Sequence, residues 1–267
     1  MEKKNRLYQI LAVLGVVLII TTYFMPIWWV ALQSRQYPKS MYPAGIRINF
    51  KFNGVYNGCK GVREREELAM DSEGAECLVE MNAINHFIGM YHITQGLNRD
   101  KSREVPIYYV FDTKKDAEGK EVLDENTGKP IEVDVTPGFL KFLDSLMISS
   151  PYLFGLFVLS ALYFAFTPKK LNALFAIIPA LTPFYFLIMY IIGLYWYGHN
   201  LSMHGGGAFE GIKDFMPTVF GEGKVAQFTT QSYPYYGFLV AFLAFVSLTL
   251  SLLLKRKALV TNTEDVS

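Results

Sequence analysis

The chain has 267 residues, of which 51% are hydrophobic, 15% aromatic and only 18% charged, and 25 Lys+Arg against 24 Asp+Glu leave a net charge of +1. Soluble domains usually carry about 25% charged residues, so the apolar excess has to be buried in lipid or in an unusually large core. The balanced charge gives no basic excess for nucleic acid and no acidic tail, and two cysteines, Cys59 and Cys77, are too few and too far apart for a zinc ribbon or an iron–sulfur cluster.

Four stretches, Leu7 to Leu32, Ser149 to Thr167, Leu171 to Gly198 and Gln231 to Leu254, contain no Asp, Glu, Lys, Arg or His. About 20 such residues cross the hydrocarbon layer as a helix, and none of the stretches shows the alternation of a barrel strand. The fold class expected is an α-helical integral membrane protein with four transmembrane helices. The first stretch, within residues 1–32, reads as an uncleaved anchor. It exceeds the roughly 7–15 residues of a signal core, and no small-x-small cleavage site precedes Pro26.

Residues 33–147 are long enough to fold as a mixed α/β extracytoplasmic domain inserted between helices 1 and 2. Gly45 to Phe52 alternates as a strand with one buried face, Val79 to Gln95 suits a helix, and Val105 to Phe111 is again strand-like. Asp112 to Val133 reads as a charged, exposed hairpin or loop, and Phe139 to Met147 as an amphipathic helix leading into the second span. Helices 2 and 3 occupy 148–198, and Pro179 and Pro183 should kink the third span. A glycine-rich outer segment, 199–230, is expected to pack on the domain, followed by helix 4 at 231–254 and a tail at 255–267.

Lys3, Lys4 and Arg6, Lys169 and Lys170, and Lys255, Arg256 and Lys257 fall on one side of an alternating topology, which makes that side cytoplasmic. Both termini are then cytoplasmic, in the cytoplasmic membrane, with the main domain outside. The three tryptophans, Trp28, Trp29 and Trp196, would share one interfacial belt. Cys59 and Cys77 face the oxidising side and are expected to form a disulfide contributing about 3 kcal/mol. Two separate buried thiols, or a copper-thiolate pair, are the alternatives.

The spans hold no buried carboxylate or histidine, so neither a proton relay nor a haem ligated at membrane depth is available. No GxSxG elbow accompanies His204-Gly205-Gly206-Gly207, which removes hydrolase catalysis. His86, His92, His199 and His204 all lie in outer segments. His86 and Met90 stand four apart in a helix-compatible run, and imidazole with thioether is a soft donor pair suited to copper, Cu(I) above all. His199 completes the main candidate set, with His92, Met203 and His204 as secondary candidates. The competing structural readings are that Met90 fills a core gap, His86 hydrogen-bonds at an interface, and the glycines permit a tight turn.

Gln36-Tyr37-Pro38, Asn85-His86-Phe87-Ile88-Gly89-Met90 and Gly198-His199-Asn200-Leu201 together resemble small polytopic membrane proteins encoded in nitrous oxide reductase gene clusters. The chain differs from that pattern in having Phe87 for Tyr and Ser202-Met203 for Asp-Pro. The resemblance implies an accessory membrane protein of an extracytoplasmic copper enzyme system, in maturation, copper delivery or electron supply, working beside a protein partner. The alternative is a non-catalytic structural subunit of a respiratory or oxidising membrane complex. No assembled triad or paired catalytic carboxylates support an enzyme.

Overall fold

The computed structural model describes residues 2–35, 37–60, 77, 79–80, 111–135, 137–168, 170–200, 213–225 and 228–264. Helix α1 (Glu2–Phe24) stops just before Pro26, whose ring and missing N–H disfavour a continuing helix. The apolar run then continues as strand β1 (Trp28–Gln33), not as helix to Leu32 as the sequence suggests. Strands β2 (Ile46–Lys51) and β3 (Gly54–Asn57) follow, and β6 (Gly221–Val225) and β7 (Phe228–Pro234) return from far along the chain. They form one antiparallel sheet in the order β3-β2-β1-β7-β6.

The expected boundaries at residues 32/33 and 230/231 therefore fall within strands. The outer segment 199–230 supplies part of the sheet and does not merely rest on it. The short pair β4 (Phe111–Thr113) and β5 (Glu132–Asp134), with further bridges Lys115↔Glu121 and Leu123↔Pro130, makes the exposed hairpin. Asp124 closes its turn by accepting bonds from the Asn126 and Thr127 amides and the Thr127 hydroxyl, which hold its carboxyl below the usual range. The helix expected over Val79 to Gln95 beyond Glu80, and the strand over Val105 to Phe111 before Phe111, lie outside the described residues.

The remaining helices are α2 (Gly138–Phe166), α3 (Leu174–Ala180), α4 (Thr182–Gly198) and α5 (Tyr236–Glu264). Three helical stretches, Arg6–Phe24, Gly138–Phe166 and Tyr236–Thr261, are long and apolar enough to cross a bilayer, and α3 with α4 can add a fourth crossing as one span bent by 47°. Small side chains let them approach, with Ala12, Ala161, Ala165, Ala176, Ala180 and Ala244 buried between α1, α2, α3 and α5. The outward faces, including Ile10, Val17, Leu156, Ile188 and Leu250, are exposed and apolar, as lipid contact requires. These features mark a membrane protein.

Pro151 and Pro179 lie inside helices and Pro183 in the first turn of α4; each lacks the N–H that would meet the carbonyl four residues earlier, and a hydroxyl donates to that carbonyl every time. Ser150 Oγ donates to Met147 O (2.7 Å) beside Pro151, Ser160 Oγ to Phe175 O (2.8 Å) for Pro179, and Thr182 Oγ1 to Pro179 O (2.7 Å) for Pro183. Along α5, Ser247, Ser251 and Lys255 recur every four residues and so share a face. Ser247 Oγ donates to Leu11 O, Ser251 Oγ to Tyr8 O and Lys255 Nζ to Phe164 O, near the carbonyl end of α2. Lys255, read from sequence as the start of a solvated tail, is therefore buried (1% exposed) beneath the rings of Phe164 and Tyr8.

The sheet joins this bundle through the shortest possible links. Lys51 Nζ donates to Phe24 O at the end of α1, while the Ile27, Tyr235 and Gly237 amides bond Phe50 O, Ile27 O and Pro26 O. One sheet face presents Trp28, Val30, Ile46, Ile48 and Phe50 to Phe186 and Tyr190 of α4 and Met147 of α2. The opposite face mixes polar and charged groups such as Arg47 and Asn49 with Trp29, Ala31, Tyr56 and Tyr233, of which Ala31 and Tyr56 are buried. Trp28 is thus a core residue (4% exposed) and not part of an interfacial belt, and Trp196 stacks on Phe139.

At the centre, Ser232 Oγ donates to Val219 O (2.7 Å) and accepts from Trp28 Nε1 (2.8 Å). Its single proton is committed to Val219, so Tyr190 must be the donor in the 2.9 Å contact between the two hydroxyls. Ser232→Ala leaves the Trp28 and Tyr190 donors and the Val219 acceptor without that partner in a buried site. Destabilisation of about 1–3 kcal/mol or more is expected in chemical unfolding of the detergent-solubilised protein. Thr182→Val should cost about 0.5–1.5 kcal/mol, since Pro179 O loses the hydroxyl but keeps a backbone N–H from the helix cap, while Thr182→Ser should behave as the parent.

Candidate functional site

His199 caps α4. Its Nδ1 lies 2.7 Å from Tyr195 O and its ring stacks on that of Tyr195 at 4.1 Å. A carbonyl can only accept, so Nδ1 carries the proton and, in the neutral ring, the lone pair sits on Nε2. Gly198 beside it accepts the Phe215 amide at 3.3 Å, and a side chain at Gly198 would collide with Phe215 O and Pro217. The absence of a Cβ is therefore what lets the segment from Lys213 towards β6 close over the helix end next to His199. Asn200 Nδ2 donates to Trp196 O at 2.6 Å, holding the next residue in the same frayed turn.

Cys59, next to β3, is joined to Cys77 by a disulfide with Cα atoms 5.8 Å apart. Close by, Tyr37 Oη donates to Glu80 Oε2 at 3.2 Å. These two links fix the chain just before the Met81 to His92 stretch of the sequence. His86, Met90, His92, Met203 and His204 lie outside the described residues. Among the described residues no group of three or more His, Cys, Asp or Glu side chains is placed to hold a metal.

Tyr37 also stands at the rim of the sheet remote from α1 and α5. Its ring packs on Tyr42 and Phe228, with centroids 5.1 and 6.2 Å away. Burial first, and then the Glu80 carboxylate, push its phenol up to about 12. Around it opens a cavity of about 410 Å³, lined by Arg35, Lys39 and Lys224 together with Gln33, Tyr42 and Thr229. Arg35 and Lys39 come from the link between β1 and β2, and Lys224 from β6, two strands away across the sheet. No local signal in the sequence couples positions so far apart. The Gln36-Tyr37-Pro38 motif does border the cavity through Tyr37.

No family model, curated protein or solved structure matches this chain.

Two outcomes follow for the links at Cys77 and Glu80. Cys59→Ser with Cys77→Ser should lower stability by about 3 kcal/mol, read from chemical unfolding with and without reductant. Because the folded state keeps the Tyr37 proton to higher pH than the unfolded chain, stability should fall as pH rises from the ordinary tyrosine range through about 12. Tyr37→Phe should flatten that part of the alkaline limb, measured as thermal midpoint against pH.

Proposed function

We propose that this chain is a four-span protein of the cytoplasmic membrane, with both termini cytoplasmic and the sheet outside, serving as a non-enzymatic accessory to an extracytoplasmic copper enzyme system. The observation that carries the copper part is the bond from His199 Nδ1 to Tyr195 O. Metal-binding histidines commonly anchor one ring nitrogen on a backbone carbonyl, which orients the ring and leaves the other nitrogen free to coordinate. His86 and Met90, four apart in a helix-compatible run, are the partners proposed for His199, and the resemblance to nitrous oxide reductase accessory proteins supports a copper role for them. Imidazole and thioether would favour Cu(I).

The disulfide supports the orientation, since such bonds persist on the oxidising side of a membrane. The basic residues of both termini and of the α2–α3 link supply the complementary argument for the opposite face. Reporters active on one side only, fused after Ser267, test it, and the cytoplasmic reporter alone should be active. A competition titration with a Cu(I) chelator tests the metal. His86→Ala, Met90→Leu and His199→Ala should each weaken binding by about tenfold or more with the fold intact, the scale set by losing one ligand-strength interaction of about 1.4 kcal/mol. Equal affinity in the parent and all three variants would return the chain to the role of a non-catalytic structural subunit.

A further inference from the structure

The cavity at the remote rim of the sheet is not used by the copper reading. Chain-wide charge is balanced, yet among the described residues three cations and no carboxylate line it. Among the described residues Arg35, Lys39 and Lys224 make no ion pair that would discharge them locally. Glu80 is engaged by the Tyr37 hydroxyl, and Glu222, on the same face of β6 as Lys224, accepts from Gln231 Nε2 at 2.8 Å; neither is part of the lining.

The placement of the three cations decides what they face. Strands β1 and β6 are separated by β7, so the backbones of Gln33, at the end of β1, and Lys224 stand about 10 Å apart, at two strand spacings, and Arg35 follows just beyond Gln33. Long cationic side chains approaching from both sides of such a gap can hold one multivalent anion between them. Gln33 and Thr229, paired across β1 and β7 in the cavity wall, add neutral hydrogen-bonding groups. The cavity lies at the Gln33 end of β1, about 17 Å along the strand from the Trp28 end that follows α1. The Tyr37, Tyr42 and Phe228 rings give it an apolar back wall that excludes water from one side.

We propose that this cavity is a binding site for a small, soluble, multivalent oxyanion of the phosphate or polycarboxylate class, held by Arg35, Lys39 and Lys224. Arginine supplies a planar fork for two oxygens, and the lysines act as point charges on the remainder. The site stands whichever side of the membrane the sheet faces, and independently of any metal at His199.

The test uses the full chain in nanodiscs of zwitterionic lipid, titrated calorimetrically with inorganic phosphate and with citrate at constant chloride. Saturable binding of at least one probe is expected, and which probe binds assigns the class. Lys224→Gln should weaken it about tenfold, the scale of one charge-assisted hydrogen bond. The Arg35→Gln/Lys39→Gln/Lys224→Gln variant should abolish it, while Lys120→Gln on the exposed hairpin should match the parent. All of these side chains are exposed, and an unchanged unfolding midpoint confirms that each variant folds. Absence of saturation by both probes overturns the proposal, as does undiminished binding in the triple variant. Binding of a hexaglutamate peptide, with neither small anion bound, also overturns it and makes the rim a docking surface.

Discussion

The hydrogen-bonded ladder between β1 and β7 is the constraint on which the rest of the molecule depends. Strand β1 begins three residues after α1, and β7 ends one residue before α5. Helices α1 and α5 pack side by side and continue directly into neighbouring strands, so bundle and sheet share a single axis of assembly. The junction tolerates no slack. Each linking residue from Pro26 to Gly237 contributes a backbone bond or a close approach, and Gly237 has no room for a side chain against Pro26 O. The buried Ser232 hydroxyl then pins this ladder to α4 and to the strand approaching β6.

Much of this was legible in the residues, and the places where it was not have physical causes. Uncharged length located the helices well, since a bilayer imposes a minimum run of apolar residues and little else competes for that pattern. The same criterion carried the first helix too far. Trp28 to Gln33 is as apolar as the helix before it because both its surroundings, rings of α4 on one face and neighbouring strands at its edges, are protein. Composition cannot tell burial in lipid from burial in a sheet. Pro26 was the signal that separates them, together with the aromatic pair that favours a strand. The β-character of Gly45 to Phe52 was visible because alternation is local. Its partnership with a strand near residue 230 was not, because nothing in a short window encodes pairing across two hundred positions.

The candidate sites divide along the same line. That His199 terminates a helix follows from the length of the apolar run before it, whereas the proton on Nδ1 follows from a carbonyl found only in three dimensions. Arg35 and Lys39 carry no local signal of a site, because Lys224 comes near them only through the pairing of the sheet. The prolines show the reverse case. A kink at Pro179 and Pro183 was expected, yet the loss of a donor at each was predictable from covalent structure alone, and so was the need for a nearby hydroxyl. Ser150 and Thr182 sit directly before their prolines, which makes that repair local, while Ser160 reaches across from another helix.

The order of the strands also sets an order in time. The central strand of the sheet is finished within the first thirty-odd residues of the chain, but its second neighbour is not made until almost everything else has been synthesised. Until then β1 presents an open edge of unpaired amides and carbonyls, and the helices between must be inserted while the seam stays unsealed. Non-local closure of this kind is slow. The last helix therefore does more than anchor the carboxyl end. The strand just before it completes the sheet, so the helix bundle and the sheet are finished together.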